Sequence, residues 1–289
     1  MKLAVTSLLV LAGAVSLTRA EDVKPIRVLI VAGGCCHDYV HQPVVLKKGI
    51  EERANATVEI ALCPDAETRT KTTARFPIYD DANWAKNYDV VVHDECSSDI
   101  MEHPYVDNIV NAHKNGVAGV ALHCAMHSYR KGINPNQPAT AGSPGAIWYD
   151  FLGLQSAHHG KQLPISITFL DSNNPITKGM ENWTTVNEEL YNNVQKDDNF
   201  KTWPDAQPLA RGKQNEGDKL GENNSVVVWT NLYGPNKTRV FSTTIGHNTT
   251  TVEDPRYLDL VTRGLLWTVH KLGDDGKPIA GYESKTAAK

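Results

Sequence analysis

The sequence predicts an α/β protein with a parallel sheet, helices on both of its faces and an appended antiparallel hairpin. Three observations predict it. Nearly continuous apolar runs of strand length recur through the first half of the chain, as expected of strands buried on both faces. The segments between them are long enough for crossover helices, and two carry apolar residues at helical spacing. In the second half, strand-like runs follow one another through a short turn instead. Buried strands alternating with helices give a parallel sheet with right-handed crossovers, a flavodoxin-like arrangement.

The first strand is the run Ile26 to Ala32, which ends in Gly33-Gly34. Pro43 then opens a helix on which Leu46, Ile50 and Ala54 share a face, proline being well suited to a first helical turn. The second, third and fourth strands are Thr57 to Leu62, Tyr88 to Val92 and Gly116 to Leu122, with a helix over Tyr105 to His113 before the last. A short helix covers Ala146 to Leu152. Leu163 to Leu170 reads as an antiparallel strand, and Ser225 to Thr230 with Arg239 to Thr244 reads as a hairpin turning at Tyr233 to Lys237. This hairpin is expected as a sheet edge or a small subsheet. From Pro255, the residues Leu258, Val261, Leu265, Val269 and Leu272 recur at three- and four-residue steps, the stripe of a docked helix.

The two chain ends read differently. Residues 1–20 begin Met1-Lys2, continue through apolar Leu3 to Leu17 and close on Thr18-Arg19-Ala20, the pattern of a secretory signal peptide. Cleavage there predicts a secreted or periplasmic protein. A single domain is expected over residues 21–272, and the polar segment 273–289 reads as a flexible tail. Without Lys2 and Arg19 the 29 basic residues become 27 against 33 acidic ones, and this negative balance predicts neither nucleic-acid nor membrane binding. Asn-x-Ser/Thr triplets stand at Asn55, Asn182, Asn223, Asn236 and Asn248.

Ligands of open parallel sheets bind beyond the carboxyl ends of the strands. Cys35-Cys36-His37-Asp38-Tyr39 follows the first strand, and Cys63 the second. His93-Asp94-Glu95-Cys96 follows the third and His123-Cys124-Ala125-Met126-His127 the fourth. This places all five cysteines and four histidines on one rim. Five is an odd number, so at least one thiol stays unpaired within the chain. The spacing fits neither a zinc ribbon nor a redox Cys-x-x-Cys motif. Of the other histidines, His158-His159 would point apart and offer at most one group to the cleft. His103, His113 and His270 read as ordinary helical residues.

Several segments resemble the ThuA-like (trehalose utilisation) family, of the class I glutamine amidotransferase-like superfamily. They are Gly33 to Tyr39; Ala121-Leu122-His123; Asn174 to Met180; Asn187-Glu188-Glu189-Leu190-Tyr191; Arg239 to His247; and Arg263 to Trp267. The superfamily carries a nucleophilic cysteine between glycines on a strained elbow after a central strand. Here His123 stands in that position, neither glycine is present and Cys124 is displaced by one. The resemblance therefore implies carbohydrate catabolism, with disaccharides or their keto derivatives as substrates, rather than amidotransferase chemistry.

The candidate catalytic residues are His37, His123 and Glu189, because imidazole and carboxylate groups serve as acid, base or ligand near neutral pH. Tyr191, His247, Asp38 and His127 are the candidate substrate-binding residues, with Tyr191 offered for hydrogen bonding or for stacking on a sugar ring. His37, His123 and Glu189 also suit a divalent metal such as zinc. His123 is expected to project into an open cleft, where truncation costs little stability. The small-molecule partner is a sugar or sugar derivative, and the reaction that of a hydrolase, lyase or isomerase. Two alternatives are a non-catalytic sugar-binding module, with Trp148, Tyr149 and Trp229 as platforms, and a Cys124-dependent hydrolase.

Overall fold

A computed structural model describes residues 23–64, 71–193, 201–214 and 225–285. The segment 1–20, read as a signal peptide, and Asn223 lie outside the described residues. In the first half, β1 (Ile26–Gly34), β2 (Ala56–Leu62), β3 (Val90–Cys96) and β4 (Ala118–Leu122) alternate with α1 (Gln42–Glu51) and α2 (His103–Lys114). After α3 (Ile147–Leu152) come five strands: β5 (Ser156–Phe169), β6 (Trp183–Asn193), β7 (Gln207–Gln214), β8 (Ser225–Tyr233) and β9 (Thr238–Thr243). Two helices, α4 (Thr249–Val252) and α5 (Pro255–Thr268), follow them.

All nine strands form one mixed sheet in the order β2-β1-β3-β4-β9-β8-β7-β5-β6. The first five in that order are parallel, and the pairs from β9 to β6 are antiparallel. This corrects the expected hairpin appendage. β9 lies beside β4 in the middle of the sheet, with Val120 opposite Phe241, and the antiparallel half is a four-strand continuation. Two of its members, β6 and β7, are missing from the sequence reading.

Burial on both faces explains the apolar runs. Val28, Ile30, Val92, Leu122 and Phe241 pack on one face with Leu46 of α1 and Val261 and Leu265 of α5. Leu29, Val31, Val91 and Val240 pack on the other with Val106 and Ile109 of α2 and Phe151 of α3. The first core helix gains a first-turn proline from Pro43, and α5 an N-cap from Asp254, whose carboxylate accepts from Arg256 N. Such a cap stabilises a helix by about 1 kcal/mol.

The segment read as a tail makes specific contacts. Asn55 N donates to Tyr282 O and Asn55 Nδ2 to Gly281 O, each at 2.9 Å, and Ser284 Oγ donates to Glu51 O. The same bonds bury the Asn55 amide, so that triplet is closed to an acceptor-site modification. His93 also departs from expectation. It lies within β3, opposite Val31 and Ala121, and its side chain is wholly buried with Glu95 rather than placed on the rim.

Candidate functional site

Three loops and one strand bring the site together beyond the carboxyl ends of the parallel strands. His37 follows β1, His123 follows β4 and His247 follows β9. Glu189 comes from β6, at the far edge of the sheet order. It reaches the others because the long β5–β6 ribbon bends back over the strand ends. Its register shifts at Ser156/His158, at His159/Gln162 and at Pro164/Ser166, and such bulges bend and twist a strand pair.

The Glu189 carboxylate gathers imidazoles. Its Oε2 lies 3.2 Å from His247 Nδ1, 3.5 Å from His123 Nε2 and 3.6 Å from His159 Nε2. Gln162 Nε2 donates to the other oxygen at 3.3 Å and sits 2.7 Å from His247 Nε2. His37 stands edge-on to His123 and His247, with ring centres 4.7 and 4.8 Å away. One nitrogen from each of His37, His123 and His247 falls within 4.8 Å of the others.

Hydrogen bonds assign the protons. The Thr244 carbonyl can only accept, so His123 Nδ1 carries the proton it donates at 2.6 Å, and Nε2 is the nitrogen that faces the cluster, 3.2 Å from Tyr191 Oη. An imidazole held by a backbone carbonyl with its other nitrogen free is the usual posture of a metal ligand. His37 is 5% exposed, and neither ring nitrogen has a hydrogen-bond partner among the described residues. A buried polar group without a partner is costly, and a cation or substrate group would satisfy it. Three imidazole nitrogens within 4.8 Å of one another, with the Glu189 carboxylate beside two of them, are donors that suit zinc and neighbouring divalent metals, so the residues present fit such an ion.

The charges agree with that assignment. Burial, reinforced by the nearby His123 and His247, holds the His37 pKa well below its ordinary 6.5, so the ring is neutral and free to ligate or accept a proton. Burial works against ionisation of Glu189, yet the adjacent His123 and His247 outweigh it and keep the carboxyl below the usual carboxylate range. Burial likewise opposes protonation of His247, but Glu189 prevails and raises it.

The match to known proteins follows the same frame. The family model described as trehalose utilisation matches residues 27–268. This chain belongs to the ThuA family. A ThuA-like protein from Parabacteroides merdae superposes with a TM-score of 0.62 at 18% identity, covering 90% of this chain and 97% of the other. One from Bacteroides uniformis gives 0.56 at 14% identity, covering 88% and 96%. At these identities the two structures speak for the fold. No curated protein matches the chain by sequence.

Within this ThuA fold the elbow after β4 persists. His123 occupies it at φ +39°, a left-handed conformation uncommon outside glycine. Its side chain is only 3% exposed, which corrects the expectation of a solvent-facing histidine whose truncation is cheap. Cys124 is joined to Cys96, and Cys35 to Cys36, leaving Cys63 as the free, buried thiol. A cysteine in a disulfide cannot attack a substrate, so the Cys124-dependent alternative lacks its nucleophile. The platforms offered for a sugar-binding module, Trp148, Tyr149 and Trp229, are core residues no more than 1% exposed.

The remaining candidates divide. Tyr191 is buried, lies parallel to His127 at 4.2 Å between ring centres and is therefore a hydrogen-bonding partner of His123, not a stacking surface. His127 is buried, and its Nε2 lies 2.9 Å from Ser156 Oγ, so it supports Tyr191 from behind. Asp38 accepts from His41 N at the start of α1. Three residues join that the sequence reading passed over or ranked low. His159 lines the open side, while His158 turns away to Asn136. Gln162 bridges Glu189 and His247. Glu188 accepts from the amides of Gly246, His247 and Asn248 and so fixes the loop that presents His247. The doublet Glu188-Glu189 was the available signal for it.

Proposed function

We propose that this exported ThuA-family protein is an enzyme of carbohydrate catabolism acting on a disaccharide or keto-sugar derivative. The chemistry is acid–base or metal-assisted, centred on the His37, His123, His247 and Glu189 group, with a divalent metal such as zinc as the assisting ion. One observation carries the proposal: a buried carboxylate within 3.6 Å of three imidazoles, beside a fourth imidazole that makes no well-formed hydrogen bond among the described residues. Structural histidines are normally satisfied, and perturbed titratable groups concentrated in one place are a mark of functional sites.

His37, His123, His247 and Glu189 would hold the metal. Once bound, it would polarise a carbonyl or hydroxyl of the sugar. The chain's own groups do the rest. Thr244 O and Tyr191 Oη orient His123, Glu188 orients the His247 loop, and the buried walls keep water from the ligating nitrogens. His159, 43% exposed at its side chain and 3.6 Å from Glu189, stands where a substrate proton can be exchanged with solvent. A general acid or base needs reach of about 3 Å, directly or through one water, and His159 is the member of the group with freedom to supply it. The class of reaction is hydrolysis, elimination or isomerisation of the sugar derivative.

Elemental analysis of the purified protein, with turnover of a panel of glycosides and keto-glycosides, tests the proposal. Near-stoichiometric zinc or another divalent metal is expected, together with activity on at least one sugar that falls with metal removal. Absence of both metal and turnover, in protein that remains folded and binds sugars unchanged, would sink it. N-terminal sequencing of exported protein checks the leader, with a mature start after Ala20 as the expected result.

A further inference from the structure

Four sulfurs adjoin the histidine cluster. Cys35 and Cys36 directly precede His37, and Cys124 directly follows His123. The Sγ atoms of Cys35, Cys36 and Cys96 lie within 4.8 Å of one another, so the Cys35–Cys36 and Cys96–Cys124 bridges share one neighbourhood. The backbone keeps them there. Cys35 N donates to Cys96 O at 3.1 Å. At Gly34, φ +100°, a Cβ would fall 2.1 Å from Cys96 O, so only glycine permits the approach. Cys36 at φ +87° and His123 at φ +39° are both left-handed, and strain of that kind persists only where the surroundings enforce it.

We infer that Cys35, Cys36, Cys96 and Cys124 form a thiol–disulfide exchange switch that controls how His37 and His123 are presented. Cys36 is the exposed member of the four, and exchange begins at an accessible sulfur. A small-molecule thiolate attacks Cys36 Sγ, forms a mixed disulfide and releases Cys35 as a thiolate. Cys35 then attacks Cys96 Sγ, forming Cys35–Cys96 and breaking Cys96–Cys124, and the Cys124 thiolate takes a proton from water. A second small-molecule thiolate resolves the mixed disulfide on Cys36. The balance is two reductant thiols oxidised to one disulfide, and two protein thiols, Cys36 and Cys124, gained. In the exchanged state β1 is tied to β3, while the elbow bearing His123 has lost its staple to β3.

The consequence for the histidines rests on the site proposed above, whereas the exchange itself does not, and the experiment separates them. Air-oxidised protein is exposed briefly to dithiothreitol under native conditions, quenched with acid, alkylated and mapped by peptide mass spectrometry. Only Cys63 should be alkylated before reduction. Afterwards Cys36 and Cys124 should be alkylated first, alongside a Cys35–Cys96 cross-linked peptide. Zinc affinity, measured by competition with a chromophoric chelator, should fall by about tenfold or more in the exchanged state, as when a group supporting metal ligands is lost. The double variant C35A/C36A should keep Cys96–Cys124 intact under the same mild treatment, with zinc affinity indifferent to it. Failure of the Cys35–Cys96 peptide to form overturns the switch, as does exchange that leaves zinc affinity within twofold. Should zinc bind in neither state, the metal reading fails and diethylpyrocarbonate labelling of His37 and His123 decides. Faster labelling after exchange upholds the switch, and equal labelling overturns it.

Discussion

Truncating His123 tests the site and the elbow together when two variants are compared, His123→Ala and His123→Gly. Both remove the donor to Thr244 O at 2.6 Å and the acceptor 3.2 Å from the buried Tyr191 hydroxyl. Leaving a buried polar group unpaired costs about 1–3 kcal/mol. With two such groups and the space left by a side chain that is 3% exposed, a loss of about 3 kcal/mol is expected for alanine. The two variants differ in backbone. Alanine must still adopt φ +39°, at a cost of about 1–2 kcal/mol that glycine avoids, while glycine forfeits about 0.5–1 kcal/mol through its freer unfolded chain. Glycine should therefore be the more stable of the two by about 0.5–1 kcal/mol. Urea unfolding at pH 7.5 in the presence of chelator measures this, and zinc affinity on the same preparations should be lost in both. A loss below about 1 kcal/mol with zinc affinity intact would show that His123 is neither wedged nor ligating. Alanine more stable than glycine would refute the strained elbow.

Three further outcomes follow from the same contacts. Burial and the neighbouring His93 lower the His113 pKa to about 3 from 6.5; the unfolded chain then takes up a proton that the folded one refuses, and stability falls as pH falls through this window. Between pH 7.5 and 5.0 that proton amounts to about 2 kcal/mol, and His113→Gln should flatten the pH dependence of urea unfolding by that much; an unchanged slope would contradict it. In Glu189→Gln the main cause that raises the His247 pKa is removed, so burial, opposed only by the Glu188 charge, should lower it. The stability His247 contributes in the parent, present below pH 6.5 and lost as pH rises through its folded pKa, should vanish, and imidazole NMR titration that finds His247 unmoved would refute the contact. Glutamine should release no ammonia, because a histidine stands at the elbow and Cys124 is bonded to Cys96; turnover abolished by Cys124→Ser would reverse that conclusion.

Legibility in the sequence tracked how local the determining forces are. β1, β3 and β4 were readable because a strand buried on both faces leaves a continuous apolar run, as in Ile26 to Ala32, and the half-exposed edge strand β2 still kept Val58, Ile60 and Leu62 in alternation. β6 and β7 were not. β6 carries Asn187, Glu188, Glu189 and Asn192 within its span, polar residues that look like a loop until their partners are known. Glu188 is wholly buried, yet its carboxylate is satisfied by amides 58 to 60 residues away. His93, Asp94 and Glu95 look like a strand-end loop for the same reason: the partner that makes His93 a core residue is His113 on α2, at 2.9 Å, and nothing local announces it.

Burial of the site residues depended on a feature with no periodic signature at all. The strand-end rule correctly placed His37 and His123 at one edge, and the same rule led to the expectation of an open cleft. What closes the cleft is the β5–β6 ribbon. By sheet order it is the outermost pair, as far as the topology allows from β4, and only its three register shifts let Glu189 and Tyr191 fold back onto His123. A bulge inserts a residue without altering the hydrophobic pattern on either side in any decisive way, so the bend was invisible while its cargo was not. The site histidines come from the parallel strand ends, but their burial and charge come from an edge ribbon. Straightening that ribbon, by deleting one residue between His159 and Gln162, should uncover His123 and lower the His247 pKa while leaving β1 to β4 folded. Loss of the parallel sheet in that deletion would mean instead that the ribbon is part of the core's own stability.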